Sequence, residues 1–483
     1  MKRTTVWFLY LALASPLLGQ QGSLKDHPRV QEAIRLLEVW IDAQRAYESI
    51  PGISMAVVHD QELLWSGGFG HANRERQVPA TPQTMYSICS ISKLFTSIGV
   101  MQLLEQGKLR LDDPVATHLD WFNIQDTYPD APPVTVQGIL THSSGLPRES
   151  DYPYWTEPDF SFPTREQIIE RLSSQKELYP ASTYFQYSNL GLTLAGEIVA
   201  QVSGRPFGDY IRQNILDPLG MDATNPEIPE QHHGGRLAVG YGAPTREGSR
   251  ERLPAFQARG IAPAAGFAST VEDLAKFVSW QFRVLHHGAD EVLGRNTLRE
   301  MHRVHWLDPD WETTWGLGFA VWRSNDKTFV GHGGSCPGYR SHLSLQTDDK
   351  IAAIFMSNAN GVNTSLHTQR AQEIFAPAIA AALDSTSEAK PADPTLEKYT
   401  GTYSGSPWGG ELAVVTWKGN LAMLYLPTTN PIDGLAQLNQ VGEHTFRRIR
   451  DDESLGEEIV FEVAEDGTVT RMWRHSNFTR KVR

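Results

Sequence analysis

The sequence predicts an α/β domain followed by a small antiparallel β domain, and three observations carry that prediction. Stretches of helical and of strand periodicity are mixed through residues 28–384. Residues 385–395 have no apolar period and read as a linker, and beyond them the texture becomes short alternating runs with turn signals, a small β-barrel or β-sandwich over 396–483. A chain of 483 residues holds two or three domains, and 40% hydrophobic with 20% charged residues excludes disorder and a multi-span membrane protein.

In chain order, Lys2 and Arg3 lead a charge-free apolar run from Val6 to Leu18 that is interrupted at Pro16 and ends at Gly19-Gln20-Gln21. A membrane anchor needs about 20 apolar residues, so 1–20 reads as a cleaved signal peptide. The expectation is an exported protein, periplasmic or secreted, without stable membrane insertion, in a compartment where disulfides persist. Val30, Ile34, Leu37 and Ile41 give 28–47 a helical face, which Pro51-Gly52 ends. The runs 53–59 and 62–69, joined by Asp60-Gln61, read as a hairpin. From Ser90 an apolar face of Leu94, Ile98, Met101 and Leu104 predicts a helix that stops at Gly107.

Residues 109–260, rich in Pro, Gly and aromatics, read as loops with short helices. Further helices are expected at 164–174, 190–202, 206–215, 271–285 and 366–384, and strands at 328–331, 340–346 and 351–357. In the tail, 411–426 pair across Lys418-Gly419-Asn420 and 458–474 across Asp466-Gly467.

Composition removes several classes of function. Against 43 Lys and Arg stand 56 Asp and Glu, a net charge of −13 with no dense basic run, so nucleic acid and anionic membranes are not expected partners. Two cysteines cannot make a four-thiolate zinc site, and His232-His233 and His286-His287 have no third ligand at metal-binding spacing. No metal and no cofactor are expected. No Gly-x-Ser-x-Gly elbow, His-Glu-x-x-His helix or phosphate loop is present.

What remains is nucleophilic chemistry. Ser-x-x-Lys sets an amine one helical turn from a hydroxyl, where it takes the hydroxyl proton once burial lowers its pKa. The string begins at Ser90, Ser173, Ser324 and Ser387, but only Ser90 opens a periodic apolar helix, whose N–H groups favour an oxyanion beside the attacking oxygen. Tyr187-Ser188-Asn189 is the only Tyr-x-Asn, a phenol able to relay a proton and an amide able to donate and accept. In Gly331-His332-Gly333-Gly334-Ser335, small residues let a substrate backbone approach a strand closely.

These three motifs in this order resemble the serine β-lactamase and penicillin-binding-protein superfamily, in its class C branch of D-alanyl-D-alanine carboxypeptidases, D-aminopeptidases and β-lactamase-like esterases. Supporting strings are Leu140-Thr141-His142-Ser143-Ser144-Gly145-Leu146-Pro147, Asp217-Pro218-Leu219-Gly220-Met221, Ala264-Ala265-Gly266-Phe267-Ala268-Ser269 and Trp315-Gly316-Leu317-Gly318-Phe319. The resemblance covers roughly 30–385. The tail, opening on Tyr399-Thr400-Gly401-Thr402-Tyr403, is similar to the small β domain often appended to such hydrolases. The implied fold is α/β, a β-lactamase-like antiparallel sheet flanked by helices with a helical lobe, over 28–384.

By the resemblance Ser90 is the acylated nucleophile, Lys93 its base and Tyr187 the proton relay to the leaving group and from water. Asn189 would hold a substrate amide, His332, Gly333 and Gly334 would border the substrate, and the N–H groups of Ser90 and Ser335 would form the oxyanion hole. His332 stands where β-lactamases of this superfamily have Lys, and a neutral His lacks the fixed charge that holds a β-lactam carboxylate. Cys89 and Cys336 flank the first and third motifs, as in some class A carbapenem-hydrolysing β-lactamases, which implies a disulfide. His142 reads as architectural. The expected function is a serine hydrolase working through an acyl-enzyme on short peptides, D-residue-containing or non-standard ones first and small esters second. The alternatives are a carboxylesterase with weak β-lactamase activity and, in another class, a penicillin-binding sensor or non-catalytic binding protein. The tail is either a structural module or a cap restricting the cleft.

Overall fold

The computed structural model describes residues 23–483 except 157, 229, 233, 325, 385 and 387–390. The expected signal peptide, His233, the Ser387 string and part of the 385–395 linker lie outside the described residues.

Helix α1 (Pro28–Tyr47) starts on a proline, whose missing N–H costs nothing in the first turn. Strands β1 (Gly52–His59) and β2 (Glu62–Asn73) form the expected hairpin. Helices α2 (Ser92–Glu105) and α3 (Asn189–Ser203) centre the helical lobe, and α4 (Val271–Phe282) packs against the sheet. Strands β3 (Ala320–Ser324), β4 (Lys327–Cys336), β5 (Tyr339–Gln346) and β6 (Ile351–Ser357) complete the sheet before the long helix α5 (Thr364–Leu383).

In the antiparallel sheet the order is β2-β1-β6-β5-β4-β3, extended at either edge by two-residue strands to nine in all. Met55, Val57, Ala353 and Phe355 face α1 and α5, while Ala56, Val58, Ile354 and Met356 face the other core. With both faces covered, β1 and β6 are uniformly buried and show no polar alternation.

Three differences from the sequence reading bear on the site. The helix expected from Ser90 begins at Ser92, because Cys89–Ile91 form a tighter 3₁₀ turn ahead of it. The strand expected at 328–331 runs on to Cys336. Glycines there do not end the strand; a Cβ on Gly331 would strike the Leu343 carbonyl, and one on Gly334 the Ile88 carbonyl. Strand β3 and the helix Arg295–His302 lie in a stretch that gave no clean period.

The tail is a closed eight-stranded barrel running from Gly401 to Lys481, with both expected hairpins present. Tyr403, Met423, Phe446, Phe461 and Met472 fill its interior. Ala413, Val415, Trp417 and Leu424 face outward and share a core with Val30, Leu37 and Trp40 of α1. Glu32 accepts from the N–H groups of Lys418 (2.9 Å) and Gly419 (2.8 Å), and Trp40 donates to the Thr428 carbonyl at 2.7 Å. No described residue of the barrel lines the cleft that holds Ser90. The position is that of a module seated on the opposite face of the sheet, so the cap reading fails.

Candidate active site

Ser90 sits in the 3₁₀ turn that feeds α2, immediately after Cys89, whose φ of 51° lies in the left-handed region. Cys89 is bonded to Cys336 at the end of β4, with Cα atoms 5.6 Å apart. The Ser341 hydroxyl donates to the Ile88 carbonyl at 2.9 Å, a second tie between the sheet and this turn. Bare Gly334 lets β4 lie directly against the turn. The nucleophile candidate and the Gly333-Gly334-Ser335 backbone thus border one cleft of about 1030 Å³.

Lys93, the second residue of α2, is fully buried one turn on from Ser90. Its Nζ has three partners: the Asn189 side-chain oxygen (2.8 Å), the Ala264 carbonyl (2.7 Å) and the Ser90 hydroxyl (3.2 Å). A neutral amine has two hydrogens and one lone pair. Two of its partners are carbonyl oxygens that can only accept, so they take both hydrogens and the lone pair is left for the Ser90 hydroxyl. Burial drives the Lys93 pKa well below its ordinary value, opposed by the charge of Glu149 and assisted by that of Arg148. The environment therefore favours the form that can act as a base.

The orientation of Asn189 is set by Glu149. Its Nδ2 lies 2.9 and 3.0 Å from the two carboxylate oxygens, so the amide nitrogen faces Glu149 and the oxygen faces Lys93. A nitrogen equidistant from both oxygens of one carboxylate addresses them with one hydrogen, which leaves the second for the cleft. Glu149 also accepts from the Tyr154 phenol and pairs with Arg148 at 3.2 Å. The sequence reading missed Glu149; the available signal was an acid two residues past Leu146-Pro147.

Tyr187 is held from both sides. The His142 ring lies 4.2 Å away on one face, and its Nδ1 accepts from the Ser188 N–H at 3.1 Å, which fixes the adjoining backbone. Lys93 and Arg148 each lie 4.9 Å from the centre of the tyrosine ring. Burial raises the Tyr187 pKa and the Ser90 hydroxyl opposes that rise, so the phenol stays protonated at neutral pH. His142, read from sequence as architectural, is a direct neighbour of this group.

His332 is buried on β4 with Nδ1 2.6 Å from the Gly333 carbonyl. Only a protonated nitrogen can make that bond, so Nδ1 donates and Nε2 carries a lone pair. Burial holds its pKa at about 3. The position supplies an acceptor, not a cation. Asn189, Gly333, Gly334 and Ser335 all border the cleft with Ser90, Tyr187 and His332. His286 and His287 are occupied elsewhere, by the Thr347 carbonyl and Asp60, each at 2.9 Å. Among the described residues no group of three His, Cys, Asp or Glu side chains is placed to hold a metal ion.

Fold and cleft together are those of a serine hydrolase, with the candidate nucleophile Ser90 between an antiparallel sheet and a helical lobe. The chain belongs to the beta-lactamase family, whose profile matches residues 37–376. It is 27% identical over 358 residues to Beta-lactamase-like protein 2 of Dictyostelium discoideum, covering 73% of this chain and 64% of that protein. It is 31% identical over 181 residues to the D-alanyl-D-alanine-carboxypeptidase/endopeptidase AmpH of Escherichia coli K12, covering 37% of this chain and 46% of that one. Among solved structures, the octameric penicillin-binding protein homologue from Pyrococcus abyssi superposes with a TM-score of 0.62 at 25% identity, over 93% of this chain and 100% of that one. Most of the barrel is thus inside the superposed part.

Proposed function

We propose that this protein is an exported serine hydrolase that forms an acyl-enzyme on Ser90 and cleaves short peptides, D-residue-containing or non-standard ones before small esters. The observation that carries the reading is the three-way setting of the Lys93 amine, two carbonyl acceptors with the third direction toward the Ser90 hydroxyl. In the forward step the Ser90 oxygen attacks the scissile carbonyl and its proton passes to the Lys93 lone pair. The oxyanion is met by the Ser90 and Ser335 N–H groups. Tyr187 delivers the proton to the departing nitrogen or oxygen, the acyl-enzyme remains, and the same groups in reverse take a proton from water.

The peptide preference is supported by similarity to the AmpH carboxypeptidase/endopeptidase. The neutral acceptor at His332 argues against efficient capture of a β-lactam carboxylate at that position. Export is supported by the Cys89–Cys336 disulfide, which belongs in an oxidising compartment.

The test is mass spectrometry of the Ser90 peptide after exposure to short D-peptides, p-nitrophenyl esters and penicillins. A transient acyl adduct on Ser90 with peptide turnover, abolished in Ser90→Ala, is expected. Wild-type turnover in Ser90→Ala would refute the nucleophile; a stable penicillin adduct without turnover of any peptide or ester would make the protein a sensor.

A further inference from the structure

We propose that Arg340 is a specificity-determining residue of the cleft, the subsite for a carboxylate on the substrate; this rests on the Ser90 hydrolase reading above. With His332 a neutral acceptor, the cation that would steer an anionic substrate is not on the third motif. Among the described residues three cationic side chains border the cleft or its nucleophile, and two are engaged: Lys93 by its three partners, and Arg148 by Glu149 at 3.2 Å. Arg340 also lines the cleft, and it forms no ion pair among the described residues. Its Nε is buried without a hydrogen-bond partner among them. An unsatisfied buried donor of a charged group is costly, so such a group marks a place where a bound partner completes the structure.

The surroundings are built for an anion. Arg340 on β5 pairs in register with Ser335 on β4 and with Ser357 on β6. Directly paired residues of antiparallel strands point to the same face, so the three form a polar row across the sheet. That row starts at Ser335, the residue that offers the oxyanion N–H, and at its far end the Ser357 hydroxyl is likewise buried without a partner among the described residues. Thr364, the first residue of the 20-residue helix α5, lines the same cleft and brings the positive end of the helix to it. No described carboxylate other than Glu149, already committed to Asn189, Tyr154 and Arg148, borders the cleft to compete. A planar guanidinium presents the fork that a carboxylate matches with two bonds, which an ammonium cannot do. The occupant is therefore a substrate with a free carboxylate close to its scissile bond, as at the C-terminus of a short peptide.

The experiment separates this proposal from the hydrolase reading by measuring binding as well as turnover. The probes are N-acetyl-D-alanyl-D-alanine and its C-terminal carboxamide. Calorimetric titration into the full-length Ser90→Ala protein is expected to show the acid bound about tenfold to a hundredfold more tightly than the amide. Adding Arg340→Gln should erase that ratio by weakening only the acid, and Arg340→Lys should restore part of it. In the Ser90 enzyme the same substitution should raise KM for the acid and leave kcat, and the melting temperature, near wild type. Equal binding of acid and amide, no binding of either, or equal loss for both on Arg340→Gln would overturn the subsite. A Ser90 that never acylates would sink the hydrolase reading while leaving the acid-over-amide binding difference to stand or fall by itself.

Discussion

The two sides of the central sheet are built to different rules. Where the barrel sits on α1, the contact is a continuous apolar core joining Val30, Leu37 and Trp40 to Val415, Trp417 and Leu424, trimmed by capping contacts such as Glu32 to the Lys418-Gly419 turn. Where β4 meets the turn before α2, the chain buries Lys93, Asn189, His142 and His332 together. There His142 Nε2, Trp315 Nε1 and His332 Nε2 have no hydrogen-bond partner among the described residues. Unpaired buried polar atoms occur on both sides, His367 Nε2 beside Trp40 and Thr416 Oγ1 in the barrel seat among them, but only the cleft side also buries a lysine amine, which costs folding free energy. Such violations concentrate where a chain keeps groups for chemistry instead of for packing.

The largest test of this contrast is Lys93→Met. Turnover should fall by about 10² to 10⁴, the range for loss of a positioned base. Stability should respond in the opposite sense. Because the folded pKa of Lys93 lies below its unfolded value, the unfolded chain holds the extra proton between the two, and wild-type stability rises with pH across that window. The variant lacks that rise, so the stability difference, variant minus wild type, is most favourable to the variant at the acid end and shrinks as pH approaches about 10. Denaturant titrations at a series of pH values read it directly; a difference independent of pH would mean that Lys93 keeps its proton in the folded state.

A middle-sized effect is expected at Glu149, which turns the Asn189 oxygen toward Lys93. Glu149→Leu frees the amide to rotate and should lower kcat by about tenfold to a hundredfold, less than loss of the base itself. Glu149→Gln keeps an acceptor for the Asn189 nitrogen and should recover most of the rate. The pH profile is the discriminating readout, because Glu149 is the charge that opposes the lowering of the Lys93 pKa. Its removal should shift the alkaline-requiring limb to lower pH, and an unmoved limb in both variants would leave Glu149 a purely structural residue.

What the sequence made legible divides along the same line. Periodicity located α1, the β1–β2 hairpin, β6 and both barrel hairpins, because each of these elements buries a regular face or closes on a short turn. At β4 it reached only residue 331, because Gly331, Gly333 and Gly334 carry no period; the strand character of the rest was legible from the glycine motif, and its end at Cys336 only from the packed neighbours. Ser90, Lys93, Tyr187, Asn189 and His332 can be grouped from the sequence alone because their motifs are short and ordered, and the fold brings them around one cleft. Glu149 carries no motif. Its significance lies in which atoms it meets across the fold, and spacing along the chain holds none of that.

The smallest effect on catalysis is expected from the barrel seat, and its smallness is the point. Glu32 is 4% exposed and takes both backbone N–H groups of the Lys418-Gly419 turn while pairing with Arg29 at 2.9 Å. Glu32→Ala leaves those donors and the guanidinium without their acceptor, which should cost about 1 to 3 kcal/mol of stability. The cleft lies across the sheet with no described barrel residue in its lining, so kcat and KM should match wild type at temperatures where the variant is folded. Truncation after Asp384 would be a poorer test, because it strips the apolar cover from Trp40 and Leu37 and invites aggregation. Thermal unfolding and steady-state kinetics on the point variant keep the two properties apart. A changed KM with unchanged stability would show that the barrel's seat is felt in the cleft, and the separation between the two sides of the sheet would no longer hold.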